Sequence, residues 1–396
     1  MDVFVTGIGV VSAMGVGVEA NFNALRSHKT GIGKNTLIDG LFEETFVGEL
    51  QLSNTELKQL VDIKSELSIP RTALLGIIAA KEALGNTSLS KSVRTGFING
   101  STVGGMDLSE DYFRELYLDD DDKNFQLLAT HDLGTVSNII AKSLGGPTYV
   151  NTISTACSSS ANSIMLGARM IKSGLIDRVL VGGSDALSRF TINGFRSLMI
   201  YDKELCKPFD KDRKGLNLGE GAGYLLLENK HSLKESKNTI LSRLVGWANA
   251  NDAYHQTGTS PEGDGAMKAM KGALGKANLS ANEIDYINAH GTATQNNDQS
   301  ESNALKRVFK DEKINFSSTK GFTGHTLGAS GGIEAVFSVL SLLNQCVFPN
   351  INCDSAMDGL SDLPVLAFKK DLSINNVMSN SFGFGGNSTS LIFSRS

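Results

Sequence analysis

Cys157 is the residue whose surroundings point most directly to chemistry. A β-branched run, Tyr149-Val150-Asn151-Thr152-Ile153, leads into Ser154-Thr155-Ala156, places the thiol at the apex, and continues through Ser158-Ser159-Ser160 into a helix-compatible stretch, Ala161 to Ile171. That is the pattern of a nucleophile on a strand-to-helix turn. The helix N-terminus behind it is expected to lower the thiol's pKa and to supply backbone N–H groups to a developing oxyanion. A cysteine in a turn is only a reactive group until partners are found for it.

Two of the six histidines sit in dense motifs. His290 lies in Asn288-Ala289-His290-Gly291-Thr292-Ala293-Thr294, just after an apolar strand, with Asn297-Asp298 following. His325 lies in Ser317-Ser318-Thr319-Lys320-Gly321-Phe322-Thr323-Gly324-His325-Thr326-Leu327-Gly328. Both are strand-end loops, where parallel α/β folds gather reactive groups. A thiolate accepts an acyl group from a thioester, and neutral imidazole N–H groups stabilise an enolate formed by decarboxylation. Thr292 and Thr294 offer hydroxyls to an amide-bearing arm, and Lys320 with Glu334 forms a candidate ion pair orienting the second loop.

The elements that must position these groups alternate along the chain. Strands are expected at 3–7, 94–99, 149–153, 178–181, 223–228, 240–246, 286–289 and 376–380. Helices are expected at 18–26, 71–84, 159–173, 265–277, 298–309 and 331–343. Alternation of this kind implies largely parallel sheet covered by helices, an α/β fold. The chain has 396 residues, 40% hydrophobic and 20% charged, enough for a large buried core. A net charge of −5 argues against a broadly basic binder of nucleic acid or anionic membrane. The four cysteines, Cys157, Cys206, Cys346 and Cys353, show no CxxC spacing and read as reduced thiols. The N-terminal residues carry no signal-peptide pattern, so a soluble cytoplasmic protein is expected. The 42 glycines fall in short signatures, Gly219-Glu220-Gly221-Ala222-Gly223 and Gly383-Phe384-Gly385-Gly386 among them, which suits close backbone packing. The run Asp119-Asp120-Asp121-Asp122 reads as a solvated loop, and the polar stretch 228–238 as a junction between halves; no internal duplication is evident.

Taken together, Thr155-Ala156-Cys157-Ser158-Ser159, Ala289-His290-Gly291-Thr292, Ser318-Thr319-Lys320 with Gly324-His325, Lys207-Pro208-Phe209-Asp210, and Asn380-Ser381-Phe382-Gly383-Phe384-Gly385-Gly386 resemble the β-ketoacyl-acyl-carrier-protein synthases. The likeness is to the elongating Cys-His-His branch, and it spans essentially the whole chain. It implies a thiolase fold: two similar α/β halves, 1–235 with the nucleophile and 236–396 with both histidines and the glycine-rich loop, stacked as five αβαβα layers. By the same resemblance, Cys157 would hold the acyl chain, while His290 and His325 would assist malonyl decarboxylation. Lys320 would order the site with Glu334, supported by Asp298. The N–H groups of Cys157 and Phe384, flanked by Gly383 and Gly385, would form the oxyanion hole, with Phe384 also a gatekeeper. Thr292, Thr294, Val103, Phe195 and Phe382 would contact substrate. No metal or bound cofactor is implied, since phosphopantetheine arrives on an acyl carrier protein. That acidic carrier would meet some of Lys64, Arg71, Lys207, Lys211 and Arg213. A homodimer is usual and a heterodimer conceivable.

Two departures stand out. The glycine loop continues Asn387-Ser388 where Thr-Asn is usual, and Met106–Ser137 does not read like the fatty-acid enzymes, so fatty-acid and specialised polyketide or polyene roles both stay open. A non-catalytic chain-length-factor-like partner is the alternative reading, but such proteins typically lack the nucleophile. A degradative thiolase wants a second cysteine near the C-terminal glycine loop, and the initiating synthases a Cys-His-Asn set.

Overall fold

The computed structural model describes residues 2–38, 44–64, 66–89, 92–118, 125–310, 312–360 and 362–396. The Asp119–Asp122 run lies outside them. Ten strands carry the architecture: β1 (Phe4–Ser12), β2 (Thr95–Gly100), β3 (Tyr149–Ile153), β4 (Arg178–Asp185), β5 (Gly221–Glu228), β6 (Ser242–Asn251), β7 (Tyr286–Asn288), β8 (Phe316–Ser317), β9 (Asn376–Gly383) and β10 (Asn387–Ser394). They run in the spatial order β8-β7-β9-β10-β6-β1-β5-β4-β2-β3.

This order contains a duplication that the residues do not display. The first half-sheet reads β3-β2-β4-β5-β1 and the second β8-β7-β9-β10-β6, so adding five to each strand number converts one into the other. Directions agree too: β2 is parallel to β3 and β4, with β5 antiparallel, just as β7 is parallel to β8 and β9, with β10 antiparallel. Among the described residues, the half-sheets join where Phe4 and Val5 of β1 pair with Arg243 and Ser242 of β6. The principal helices repeat in step. α1 (Arg71–Leu84), α2 (Leu133–Ser143) and α3 (Ser159–Lys172) accompany the first half; α4 (Asp264–Ala277), α5 (Gln295–Phe309) and α6 (Ser330–Asn344) accompany the second. α1 and α2 cover one outer face, α4 and α5 the other, and α3 packs against α6 between the sheets. The result is the five-layered αβαβα thiolase architecture.

The inner layer explains two composition signals. α6 is apolar around most of its circumference, and every residue from Ser330 to Leu342 is buried, as a central helix must be. The segment 327–344 has the length and hydropathy to span a membrane but is 89% buried in the core. Inner helices also approach the sheets closely. A Cβ on Gly100 would stand 2.4 Å from the Ser160 nitrogen of α3, and one on Gly223 only 2.3 Å from the Ile333 nitrogen of α6. These glycines set how deeply the two helices that follow the Cys157 and His325 loops sit.

Several elements differ from expectation. β10 was not anticipated because it opens Asn-Ser-Thr-Ser, yet Ser388, Thr389 and Ser390 are at most 2% exposed. Short hydroxyl side chains let the layers approach. Helices at Met106–Leu118, Leu133–Ser143 and Arg189–Ser197 were also missed, and α5 begins at Gln295, three residues early. The polar 228–238 stretch holds a short helix, Lys230–Ser236, capped by the Asn229 side chain.

Adding a methyl at the α6 contact is expected to force the backbone apart: Gly223→Ala should cost about 1–3 kcal/mol by overpacking. Thermal melting will measure it, and activity should fall along with the melting temperature.

Candidate active site

The nucleophile turn is built by its own side chains. Ala156 adopts a left-handed φ of 52°. The Ser159 hydroxyl accepts the Thr155 N–H at 2.9 Å and donates to the Ala156 carbonyl at 2.6 Å. The two histidine loops carry similar strain, at Ala293 (φ 66°) and Leu327 (φ 52°). Non-glycine residues in this region are uncommon and costly, and their recurrence in all three candidate loops marks a site held by its surroundings.

These loops bring Cys157, His290 and His325 together. The sulfur and one ring nitrogen from each imidazole lie within 4.8 Å of one another, all three side chains buried. The rings are perpendicular, with centroids 5.5 Å apart. Their tautomers follow from their partners. His325 Nδ1 accepts the Leu327 N–H at 3.1 Å, with the Ser330 hydroxyl also at 3.1 Å. His290 Nδ1 faces the Lys320 ammonium at 3.2 Å, which has only protons to offer. Each neutral ring therefore carries its proton on Nε2. Burial first, and then the Lys320 charge, hold both imidazoles well below their ordinary pKa, with His325 adding to the effect on His290.

Lys320 is itself 1% exposed and paired with Glu334 on α6. Burial pushes the Glu334 carboxyl up to about 7 against the pull of that ammonium, and its second oxygen is buried without a hydrogen bond. Asp298 accepts the Phe209 N–H at 2.8 Å and the Ala293 N–H at 3.2 Å, so it ties the Lys207–Asp210 segment to the first histidine loop. Thr292 and Thr294 hydrogen-bond each other at 2.9 Å. The Phe382 ring lies 5.8 Å from His290, and Phe384 stacks on Phe195 at 5.6 Å. A cavity of about 570 Å³ opens onto Cys157, His290, His325, Thr292, Thr294, Phe195, Phe382, Gly383 and Phe384.

Some expectations do not survive. The thiol is not acidified: burial raises its pKa to about 11, and the N–H groups of Phe384 and of Cys157 itself, with the Lys320 charge, recover only part of that. A helix N-terminus stabilises a thiolate only as far as desolvation permits. Arg71 and Arg213 are not available to a carrier. Arg71 is buried in a two-pronged pair with Glu220 at 2.7 and 2.8 Å, and Arg213 is buried 3.7 Å from Asp298. Lys64 and Lys211 are exposed and Lys207 half-buried. Val103 is buried with Ile192, Leu187 and Leu327 in an apolar cluster that also contacts Phe195, and it does not reach the cavity surface.

Two buried carboxylates escaped the sequence reading. Glu301 on α5 accepts the N–H groups of His290 and Gly291 at 2.9 and 2.8 Å, fixing that loop's backbone. Asp185 receives the Ser101 hydroxyl at 2.6 Å and the Gly328 N–H at 2.7 Å, and so joins a first-half loop to the loop after His325. The helical spacing of Glu301 after His290 was the one available signal; Asp185 offered none.

With the geometry in hand, the comparisons identify the class. The β-ketoacyl synthase N-terminal domain family matches residues 1–232, and the β-ketoacyl synthase C-terminal domain family matches residues 241–354. The chain belongs to the β-ketoacyl synthase family. It is 34% identical to 3-oxoacyl-[acyl-carrier-protein] synthase 2 of Staphylococcus aureus (strain COL), over 99% of this chain and 98% of that protein. Among solved structures, the ishigamide ketosynthase/chain length factor superposes with a TM-score of 0.92 at 28% identity, covering 100% of this chain and 99% of that one. A type II polyketide synthase acyl carrier protein in complex with its ketosynthase, bound to a hexaketide, has a TM-score of 0.88 at 27% identity, covering 100% and 99%.

Because burial keeps Cys157 protonated, alkylation by iodoacetamide should be slow at pH 7 and quicken as pH rises towards about 11. Mass spectrometry of the Cys157 peptide across a pH series will measure it; a plateau reached near pH 7 would contradict the raised pKa.

Proposed function

We infer that the chain is a β-ketoacyl-acyl-carrier-protein synthase, condensing an acyl group held on Cys157 with malonyl carrier protein and releasing carbon dioxide. The observation that carries this reading is the convergence of one buried thiol with two neutral imidazoles that both present Nε2–H. Cys157 attacks the acyl thioester and its proton passes to the departing carrier sulfur, which leaves as a thiol, while the N–H groups of Cys157 and Phe384 hold the carbonyl oxygen. Loss of carbon dioxide from the malonyl group then leaves an enolate whose oxygen faces the His290 and His325 Nε2–H groups. The enolate carbon attacks the acyl carbon, and the Cys157 sulfur leaves as a thiolate that takes up a proton from solvent, as its raised pKa favours. A cationic imidazole would protonate the enolate and waste it, so their depressed pKa serves the reaction. Lys320 and Glu334 fix the His290 tautomer, Asp298 shapes the loop, and Thr292 and Thr294 receive the amide-bearing arm. Phe384, between Gly383 and Gly385 and stacked on Phe195, closes the acyl pocket; Val103 lies behind Phe195, where a chain admitted past the gate would press.

Phosphopantetheine comes on the carrier, and no resident cofactor enters the scheme. In this reading the chain divides near residue 235, with the nucleophile in 1–235 and the imidazoles in 236–396. It works in the cytoplasm as a dimer. A homodimer fits an intact Cys-His-His set. A heterodimer is favoured by one observation, the similarity to the ishigamide ketosynthase/chain length factor, in which case this chain is the active partner.

Incubation with acyl carrier proteins of graded chain length, followed by mass spectrometry, should show an acyl adduct on Cys157 that vanishes in Cys157→Ala. No adduct from any donor would falsify the ketosynthase reading, and acceptance of polyene over saturated chains would separate pigment from fatty-acid work. His290→Ala and His325→Ala should each slow malonyl decarboxylation by about 100-fold or more, by loss of an oxyanion donor. Native mass spectrometry of the purified chain alone should give a dimer mass if the assembly is homomeric.

A further inference from the structure

The glycine-rich gate is the tip of a hairpin. Gly383, at the end of β9, pairs with Asn387, the first residue of β10, and the loop between them is Phe384-Gly385-Gly386. Gly385 and Gly386 adopt left-handed φ values of 81° and 77°, which let three residues close the turn. Asn387 therefore sets where the gate begins and ends. Its side chain has a second attachment. The amide oxygen accepts the Ser158 hydroxyl at 2.7 Å, the Asn162 Nδ2 at 3.0 Å and the Asn249 Nδ2 at 2.8 Å. Asn162 extends the network, donating to the Thr155 hydroxyl at 2.8 Å and accepting the Thr389 hydroxyl at 2.8 Å. Ser158 and Asn162 are buried, 0% and 6% exposed.

Ser158 is the residue after Cys157, and Thr155 begins the strained turn before it. The oxyanion hole needs two N–H groups aimed at one oxygen, yet one comes from the nucleophile turn in the first half of the chain and the other from the gate in the second. No backbone hydrogen bond of a shared sheet fixes their separation, since β3 and β10 lie in different half-sheets. The Asn387 carbonyl spans that gap. We propose that Asn387 is a positioning residue that holds the gate hairpin in register with the nucleophile turn, so that the Cys157 and Phe384 N–H groups converge on one thioester oxygen. This rests on the reading that Cys157 is acylated, and it accounts for asparagine at a position where a shorter side chain would not bring one acceptor to three donors on two segments, the nucleophile turn with α3 and β6.

The role separates two half-reactions. Acyl transfer to Cys157 uses the hole; decarboxylation of malonyl carrier protein relies on His290 and His325, whose ring hydrogen bonds go to Lys320, Leu327 and Ser330 instead of this network. With octanoyl- and malonyl-carrier protein as probes, Asn387→Leu should slow octanoyl transfer to Cys157, followed by rapid-quench mass spectrometry, about 10- to 100-fold, while carbon dioxide release stays within about twofold. Ser158→Ala removes one donor without emptying the site and should shift the same ratio in the same direction by less, which keeps the test open if Asn387→Leu folds poorly. Both rates falling together, or acyl transfer unchanged in both variants, overturns the proposal, because a merely structural residue would not discriminate between the half-reactions. A total absence of adduct on Cys157 in the unsubstituted enzyme sinks the functional reading itself, and the positioning role with it.

Discussion

A lysine ammonium buried beneath two imidazoles is the interaction on which the rest of the site depends. Lys320 is almost wholly buried, and the carboxylate in direct contact with it is Glu334. Burying such a pair is costly, and removing either partner leaves an uncompensated charge. What the arrangement provides is definition: one ammonium donates to His290, lowers the proton affinity of both rings, and draws the His325 loop against α6 through Glu334. The unpaired second oxygen of Glu334 shows that the pair is not optimised for stability alone.

The site is also a meeting of two halves with the same topology. Strands and helices repeat with a fixed offset, yet the residues at equivalent ends have diverged, with a thiol before α3 and an imidazole before α6. Close approach makes the meeting possible. Gly100 and Gly223 admit the inner helices to within a Cβ's width of the sheets, and the hydroxyl side chains of β10 do the same for the second sheet. Buried carboxylates then stitch loops that share no strand pairing, Asp185 and Asp298 across the halves and Glu301 within the second. Each accepts several N–H or O–H groups, which is how buried acidic residues are accommodated.

Much of this was legible in the residues. Strand-then-helix alternation gave the α/β class, and the motifs around Cys157, His290, Lys320 and His325 picked out the groups that the fold brings together, because loops that carry chemistry concentrate Gly, Thr and Ser around a titratable side chain. Glu334 was found as the partner of Lys320 through the family resemblance, and the ion pair is present. What escaped shares one cause: it depends on neighbours distant in sequence. β10 looked polar until its packing against the inner layer was seen. The internal duplication was expected only through the family resemblance, because it is a property of strand order, invisible in side chains that have diverged. Arg71 and Arg213 looked like surface cations because nothing local announces a buried carboxylate such as Glu220.

The sequence by itself determined which groups are candidates for the chemistry and the order in which the chain presents them, since the thiol turn, the imidazole loops and the glycine-rich loop are each a local motif. Only the tertiary structure decided their protonation states and mutual registration. A turn at a helix N-terminus suggests an acidic thiol, and an isolated histidine suggests a ring that titrates near neutrality. Burial reverses the first and suppresses the second, because the cost of charge depends on how much water the completed fold removes, and no short stretch of sequence carries that quantity.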